Sequence, residues 1–353
     1  MTDLDQRIDQ TLREHAEGTV DTDRLLAVAV SRGRARIRRR RATAASVLGV
    51  VAVLGAGVAL GPVSLSGSGL DVVIPGLGLP SDAVQAVTPP RLDGVPGAAT
   101  RPDLVGADPD VLHFGFAPDG PRYLSWSVQS GVEMARLDVD GRTVTLELAA
   151  TADALPMRAQ GLPALVPELV EDGVYDGSVS HAEGPYGVPA WLRHWQPAPG
   201  VYARASGSGP NERDLFAVAA ALRLDQAHRC GGPLRLTTLP AGTQLTRCEV
   251  TVAPFPAAFG VQMMVSGSNP GAIQVELQYA TGIAGSRTEG NRTVGGKPAH
   301  IDRQVGELEL LGFPKAHLTA NFGWPAQGYD EEDAATVLAG AQVSESLDEP
   351  ASW

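Results

Sequence analysis

Residues 31–60 read SRGRARIRRRRATAASVLGVVAVLGAGVAL, and the rest of the chain is best interpreted outward from this stretch. Seven arginines fall between residues 32 and 41, and the 29 residues that follow carry no charge. Within residues 42–60 only Thr43 and Ser46 are polar. At ~1.5 Å per residue, a helix of that length spans about 28 Å, close to the ~30 Å hydrocarbon core of a bilayer. The stretch therefore predicts one transmembrane helix over residues 42–60.

The arginines predict the orientation of this helix, because clustered basic residues stay on the cytoplasmic side of a membrane and are attracted to anionic lipid headgroups. Residues 61–353 are then outside, and the localisation is the cell membrane. Two alternatives remain at this point: a cleaved signal peptide and a buried core helix of a soluble enzyme. A membrane helix already explains the basic cluster, so no nucleic-acid partner is expected. The topology determinants are Arg36, Arg38, Arg39, Arg40 and Arg41.

The predicted outer part also contains both cysteines. Cys230 and Cys248 lie on the side where disulfides persist, and we expect them to be bonded to each other. Closing a loop of this length would stabilise the fold by roughly 3 kcal/mol in the chain-entropy model. The alternative is a pair of buried free thiols.

The first 41 residues form a leader with an arginine-rich end. Apolar side chains recur at helical spacing, which predicts a short amphipathic helix followed by a second one. An isolated helix this short is marginal in water, so the leader is either solvated or folded against a cytoplasmic protein. The residues that would contact such a partner are Leu4, Ile8, Leu12, Leu25 and Leu26.

Beyond the membrane helix, residues 61–110 are rich in Gly, Pro and Ser and predict a linker. From residue 111 onward, strand-like runs dominate, and Asp140-Gly141 is a hairpin signal. Strands followed by one Ala-rich helix occur twice, which predicts two tandem sheet-plus-helix modules at residues 111–225 and 226–345, with a tail at 346–353. The predicted fold class is α+β, with a β-rich extracytoplasmic domain.

Motifs that carry chemistry are absent from the sequence. It has no G-x-S-x-G elbow, no phosphate-binding P-loop and no H-E-x-x-H spacing, so no cofactor, metal or catalytic residue is predicted. The cluster of Trp191, His194 and Trp195 either lines a ligand groove or belongs to the core. At strand spacing the two tryptophans share one face and His194 points to the other.

In layout, about residues 1–60 resemble actinobacterial single-pass membrane proteins, many of them anti-sigma-factor-like regulators, with the stretch 31–60 carrying the arginine-rich stop and the Ala/Val/Gly anchor of that group. The resemblance implies a sigma factor as the cytoplasmic partner of residues 1–41 and an outer domain with its own ligand. The zinc-binding pattern of that group is missing, because His15 stands alone and no cysteine precedes Cys230. No zinc ligands are therefore transferred.

These observations predict a non-enzymatic, single-pass membrane protein with an extracytoplasmic binding or sensing domain, of the anti-sigma-like type. One alternative is a membrane-anchored or secreted binding module without a signalling role. A second alternative, ranked last, is an anchored hydrolase.

Overall fold

The computed structural model describes residues 86–155, 174–183, 188–283, 287–323 and 328–353. The predicted leader (1–41) and membrane helix (42–60) lie outside these residues, together with the linker up to residue 85. Two α-helices occur in the described part, α1 at Arg213–Ala221 and α2 at Glu331–Ala339. Neither has the length and apolar character that a membrane crossing requires.

Nineteen strands dominate the described residues. In chain order β1–β19 are Val111–Leu112, Gly115–Phe116, Arg122–Gln129, Val132–Val139, Arg142–Ala149, Asp176–Glu183, Pro189–Ala198, Val201–Ser208, Leu222–Arg223, His228–Arg229, Leu234–Leu236, Thr243–Thr251, Ala258–Gly267, Ile273–Ala280, Arg292–Val294, Lys297–Asp302, Glu307–Leu310, Ala316–Asn321 and Ala341–Val343.

Thirteen of these strands form one antiparallel sheet, in the order β15-β16-β17-β18-β14-β13-β12-β3-β4-β5-β8-β7-β6. The remaining six form three two-stranded pairs, β1–β10, β2–β9 and β11–β19. The tight turn between β4 and β5 follows from its sequence, since Asp140 and Gly141 both have positive φ, of 50° and 80°. That geometry is the one that Asp-Gly favours in two-residue hairpins.

The α+β prediction with two tandem sheet-plus-helix modules is wrong. The described chain is mostly β, and its strands continue from one predicted module into the other because β3 pairs with β12, for example Trp126 with Val250. One hydrophobic core contains residues from both predicted modules. Residues 111–225 and 226–345 therefore do not fold as two separate units.

One face of the sheet holds this core. Alternation along each strand places apolar side chains there, as in β13, where Phe259, Val261, Met263 and Val265 are buried and their neighbours are not. Both helices cover the same face with buried apolar side chains, α1 with Leu215 and Val218, and α2 with Ala334, Val337 and Leu338. Asp330 caps α2 in a capping box with Asp333, which satisfies backbone donors at the helix start.

The predicted disulfide is confirmed. Cys230 and Cys248 are bonded, with Cα atoms 6.2 Å apart, and both are fully buried. The bond ties the segment after β10 to β12 in the middle of the sheet. Beside it, the buried Trp126 indole donates a hydrogen bond to the Cys230 carbonyl, at 2.7 Å. The end of the predicted linker also packs against this region, since Val87, Ala98 and Val105 belong to the core.

Candidate functional site

The second face of the sheet is polar over most of its width. Because adjacent strands are in register, one row of side chains on this face can be followed from β16 to β7. Antiparallel sheets commonly pair an apolar face with a polar one. The row consists of His300, Glu309, Thr319, Glu276, Gln262, Glu249, Ser127, Met134, Glu147, Arg204 and His194.

Near one end of this row is a cavity of about 430 Å³. We call it the acidic cavity. It is formed by β14, β17 and β18 together with Arg287 from the chain before β15, and each lining side chain is polar or charged. A purely polar lining is suited to a hydrated, polar ligand and not to a lipid tail. The lining residues are Glu276, Gln278, Arg287, Glu307, Glu309, His317 and Thr319.

Two of the three carboxylates in the acidic cavity have partners. Glu309 is buried, and its Oε1 lies 2.7 Å from Nδ1 of His317, while its Oε2 lies 3.5 Å from Nε of Arg287. Glu276 accepts hydrogen bonds from the amides of Gln262 and Gln278, each at 3.0 Å, and from Gln274. These contacts hold both carboxylates in place and use much of their hydrogen-bonding capacity.

The third carboxylate, Glu307, differs from the other two. Among the described residues it has neither a hydrogen-bond donor nor a cation at ion-pair distance. Burial raises its pKa, and the neighbouring carboxylates of Glu309, Glu276 and Asp302 raise it further, while Arg287 opposes them. A carboxylate with a raised pKa in a cavity indicates electrostatic demand that a bound cation would relieve.

The charges of the acidic cavity decide which chemistry it can accommodate. Three carboxylates face one arginine, so the cavity has an excess of negative charge. Within the described residues, no group of three or more His, Cys, Asp and Glu side chains is placed to hold a metal ion. An organic cation, with an ammonium or guanidinium group that donates to Glu307, matches this lining.

Further along the same row is a second polar group, which we call the buried polar cluster: Glu147, Arg204, His194, Tyr175 and Tyr202. Arg204 donates to Glu147 through Nε at 2.8 Å, and both side chains are almost completely buried. The ring of Tyr175 contacts those of His194 and Tyr202 edge-on, at 5.2 and 5.1 Å. Burial, and then the nearby Arg204, lower the pKa of His194 to about 4. His194 is therefore neutral at pH 7.

The structure separates the residues of the predicted ligand groove. Trp191 and Trp195 share the core face of β7, where Trp195 is buried and Trp191 donates from its indole to the Gly209 carbonyl at 2.9 Å. His194 points to the opposite face, as its spacing predicts, and belongs to the buried polar cluster. The three side chains do not line a common groove.

Other predicted site residues lie outside the described residues. These are the topology determinants at positions 36–41 and the partner-contact positions 4, 8, 12, 25 and 26. The acidic cavity itself is not predicted from the sequence. Its carboxylates come from β14 and β17, strands separated by 26 residues, and become neighbours only through β18. Alternating Glu307 and Glu309 on one strand is also typical of an ordinary solvated face.

No protein-family model and no curated protein matches the sequence. Among solved structures, the chain is similar to one from the crystal structure of MucB in complex with MucA(peri), with 12% sequence identity and a TM-score of 0.19. The match covers 70% of this chain and 98% of that chain. A TM-score this low transfers neither fold nor function. The resemblance of residues 1–60 to anti-sigma-factor-like proteins stays a prediction.

Proposed function

We propose that this chain is a non-enzymatic, membrane-anchored binding protein whose sheet domain lies outside the cytoplasm and binds a small organic cation in the acidic cavity. The observation that carries the proposal is Glu307, a partly buried carboxylate in a polar cavity with no partner among the described residues and with a raised pKa. The volume of about 430 Å³ is within the range of small-ligand sites.

The neighbours of Glu307 support a site for a cation over a site for an anion. Glu309 already engages both Arg287 and His317, so little positive charge in the cavity is left for an anionic ligand. Glu276 is fixed by glutamine amides, which keeps a second carboxylate in place without neutralising it. A ligand with an amine at Glu307 and further donors toward Glu276 and Thr319 would complete the hydrogen bonds of the site.

Isothermal titration calorimetry of the full chain in detergent, with spermidine as the probe at physiological ionic strength, tests this proposal. We expect saturable binding that Glu307→Gln weakens about tenfold, because the variant removes one charge-assisted hydrogen bond at ~1.4 kcal/mol. The matched control is Glu345→Gln, an exposed glutamate outside the cavity. Equal affinities of the two variants, or no binding by the wild type, would contradict the proposal.

The lining of the acidic cavity contains neither a serine nor a cysteine, which disfavours a serine or cysteine hydrolase at this site. Activity-based probing of the full chain with a fluorophosphonate tests this part. We expect no covalent label. Stoichiometric labelling of a serine would revive the anchored hydrolase.

Anchoring through residues 42–60 is proposed from the sequence stretch described above. After fractionation of cells that express the full chain, we expect it in the membrane fraction with its N-terminus intact. External protease should digest residues 61–353 and spare the leader. A mature chain that begins beyond residue 60 would instead indicate a cleaved signal peptide.

The proposed anti-sigma-like role depends on the leader. Its helical spacing of Leu4, Ile8 and Leu12 favours contact with a cytoplasmic protein. If the partner is a sigma factor, residues 1–41 should retain it in a co-purification, and Ile8→Asp, a charged replacement on the predicted apolar face, should abolish retention. In the alternative, a binding module without signalling, deletion of residues 2–20 leaves every function of the protein intact.

A further inference from the structure

One edge of the large sheet is a long strand, β6, that has no neighbour on its outer side among the described residues. Among the described residues, β6 pairs only with β7. Side chains along β6 are exposed or half-buried throughout. An edge strand of this length presents a row of free backbone N–H and C=O groups, which can pair with another strand.

An arginine beside this edge has no acidic partner in the part of the chain that the structure describes. Arg193 lies on β7, opposite Val179, and its guanidinium is held between the rings of Trp195 and Phe216, at 4.9 and 4.4 Å from the ring centroids. Its Nε donates to the carbonyl of Gly177 on β6 at 3.3 Å. Within the described residues, no carboxylate is at ion-pair distance from it. Since Gly177 has no side chain, the guanidinium can be approached from beyond the edge.

The other end of β6 has the opposite charge. Glu183 is exposed, and the structure gives it no partner among the described residues. Because Glu183 pairs with Pro189 and Val179 with Arg193, Glu183 and Arg193 are on the same face of the sheet. Among the described residues, the edge therefore has a cation without an acidic partner near Gly177 and an anion without a partner at Glu183, six residues further along the strand.

We propose that two copies of this chain pair through their β6 strands, antiparallel and about a two-fold axis at Ser180. In this register Val179 lies opposite the partner's His181, and the partner's Glu183 lies beside Gly177, in the register shift where the regular ladder ends. Val179 shares a face with Arg193 and with the partner's His181, and Glu183 lies on the same face as His181 two residues along the strand. The partner's Glu183 therefore faces Arg193 across two strand spacings and an offset of two residues, roughly 12 Å. An arginine and a glutamate together span that distance. The same ion pair forms twice, as a two-fold interface requires.

The two ends of the sheet explain why pairing would stop at a dimer. At the opposite edge, β15 has only three residues and is followed by Gly295 and Gly296, so it offers little to pair with. On the β6 side, the register shift between Asp176 and Val179 ends regular pairing at that point. Two exposed apolar side chains lie next to β7: Phe216 contacts Arg193, and Val188 directly precedes the strand.

A cysteine at the proposed axis tests this arrangement directly. The full chain with Ser180→Cys is expressed in cells, and isolated membranes are treated with copper phenanthroline. Opposed residues across the axis have Cα atoms ~4.5–5.5 Å apart, so we expect a disulfide-linked dimer on a non-reducing gel. The matched control is Ser268→Cys, an exposed serine outside the strands, which should stay monomeric. Cys230 and Cys248 are buried and bonded to each other.

Charge reversal then tests the ion pairs in the Ser180→Cys background. We expect Glu183→Arg to lower the cross-linked fraction on the order of tenfold, because two attractions become repulsions. Arg193→Glu should also lower the cross-linked fraction. A chain that carries both Glu183→Arg and Arg193→Glu should cross-link again, because each copy then pairs its new arginine with the partner's new glutamate. If Arg193→Glu fails to fold, the effect of Glu183→Arg on the cross-linked fraction tests the ion pairs alone, because Glu183 is exposed. Three results would overturn the proposal: Ser180→Cys cross-links no more than Ser268→Cys, it cross-links to a different protein, or its cross-linking is unchanged by Glu183→Arg.

Discussion

Two groups of charged side chains on the same face of one sheet differ in how their charges are compensated. In the buried polar cluster, Arg204 and Glu147 are about 1% exposed or less and neutralise each other. In the acidic cavity, Glu309 is similarly hidden but shares partly exposed partners, and Glu307 has none among the described residues. In the first group, the two buried charges are paired with each other. The second keeps an excess of negative charge next to an open volume.

This difference separates structure from binding. A buried ion pair costs several kcal/mol in lost hydration, so it persists only when both charges are paired and hydrogen-bonded. A cavity that keeps an unpaired carboxylate is less stable than it would be with a neutral side chain, and such a cost is typical of sites that bind a ligand. Each of the following variants removes a titratable or charged side chain from one of the two groups and measures the change in stability.

The largest effect is expected in the buried polar cluster. Arg204→Met removes the charge that compensates the buried Glu147 and should lower the free energy of unfolding by about 3–5 kcal/mol. The measurement is urea unfolding of the detergent-solubilised chain, followed by tryptophan fluorescence.

The control for Arg204→Met is Arg247→Met, on the same polar face, where the pair with Glu249 is about one-third exposed. That variant should cost about 1 kcal/mol or less. Adding Glu147→Leu to Arg204→Met should recover much of the loss, because no charge is then buried alone. If the two variants lost the same free energy of unfolding, the buried pair would not differ from the exposed one.

Acidification should affect the two groups in opposite directions. The folded-state pKa of His194, about 4, is below the unfolded value of about 6.5, so the unfolded chain takes up this proton first and stability falls as the pH drops. The folded-state pKa of Glu307 is above its unfolded value, so the folded chain takes up that proton first and stability rises as the pH drops through the folded pKa.

Urea unfolding at pH 7 and pH 5 distinguishes these contributions. From pH 7 to pH 5, the free energy of unfolding of His194→Gln should fall by about 1–2 kcal/mol less than that of the wild type. The free energy of unfolding of Glu307→Gln should fall by more than that of the wild type. Other titrating groups, including His228 and Asp110, contribute equally to all three proteins. The same pH response in both variants would show that the two groups do not differ in this way.

The smallest effect is expected inside the acidic cavity. Glu309→Gln removes a carboxylate whose partners, His317 and Arg287, are 33% and 58% exposed, so the cost should be about 1 kcal/mol. Thermal unfolding compared with Glu345→Gln measures it. A loss as large as that of Arg204→Met would place Glu309 in a structural ion pair, like Arg204 itself.

Local sequence patterns predict much of the described chain. Strand-like runs are predicted from residue 111 onward and strands dominate there, and Asp140-Gly141 forms the predicted turn. The disulfide follows from the cysteine count and the predicted compartment. These features depend on neighbours in sequence or on the only available pairing.

The order of strands in the sheet is not predicted, and this is why the fold class is wrong. Alternation shows which side chains share a face but not which strands are adjacent. The contact that merges the two halves, β3 with β12, joins residues more than 110 positions apart. The acidic cavity and the Glu147–Arg204 pair depend on such non-local pairings, so both are visible only in the folded chain.

Hydrogen–deuterium exchange of the full chain, with and without spermidine, tests the central claim most directly. Binding in the acidic cavity should slow exchange in β14, β17 and β18, which form the cavity. It should leave β5, β7 and β8 unchanged, because the charges of the buried polar cluster on those strands are already paired. Protection around Glu147 and Arg204, or no protection in β14, β17 and β18 at a saturating concentration, would contradict the assignment of the acidic cavity as the binding site.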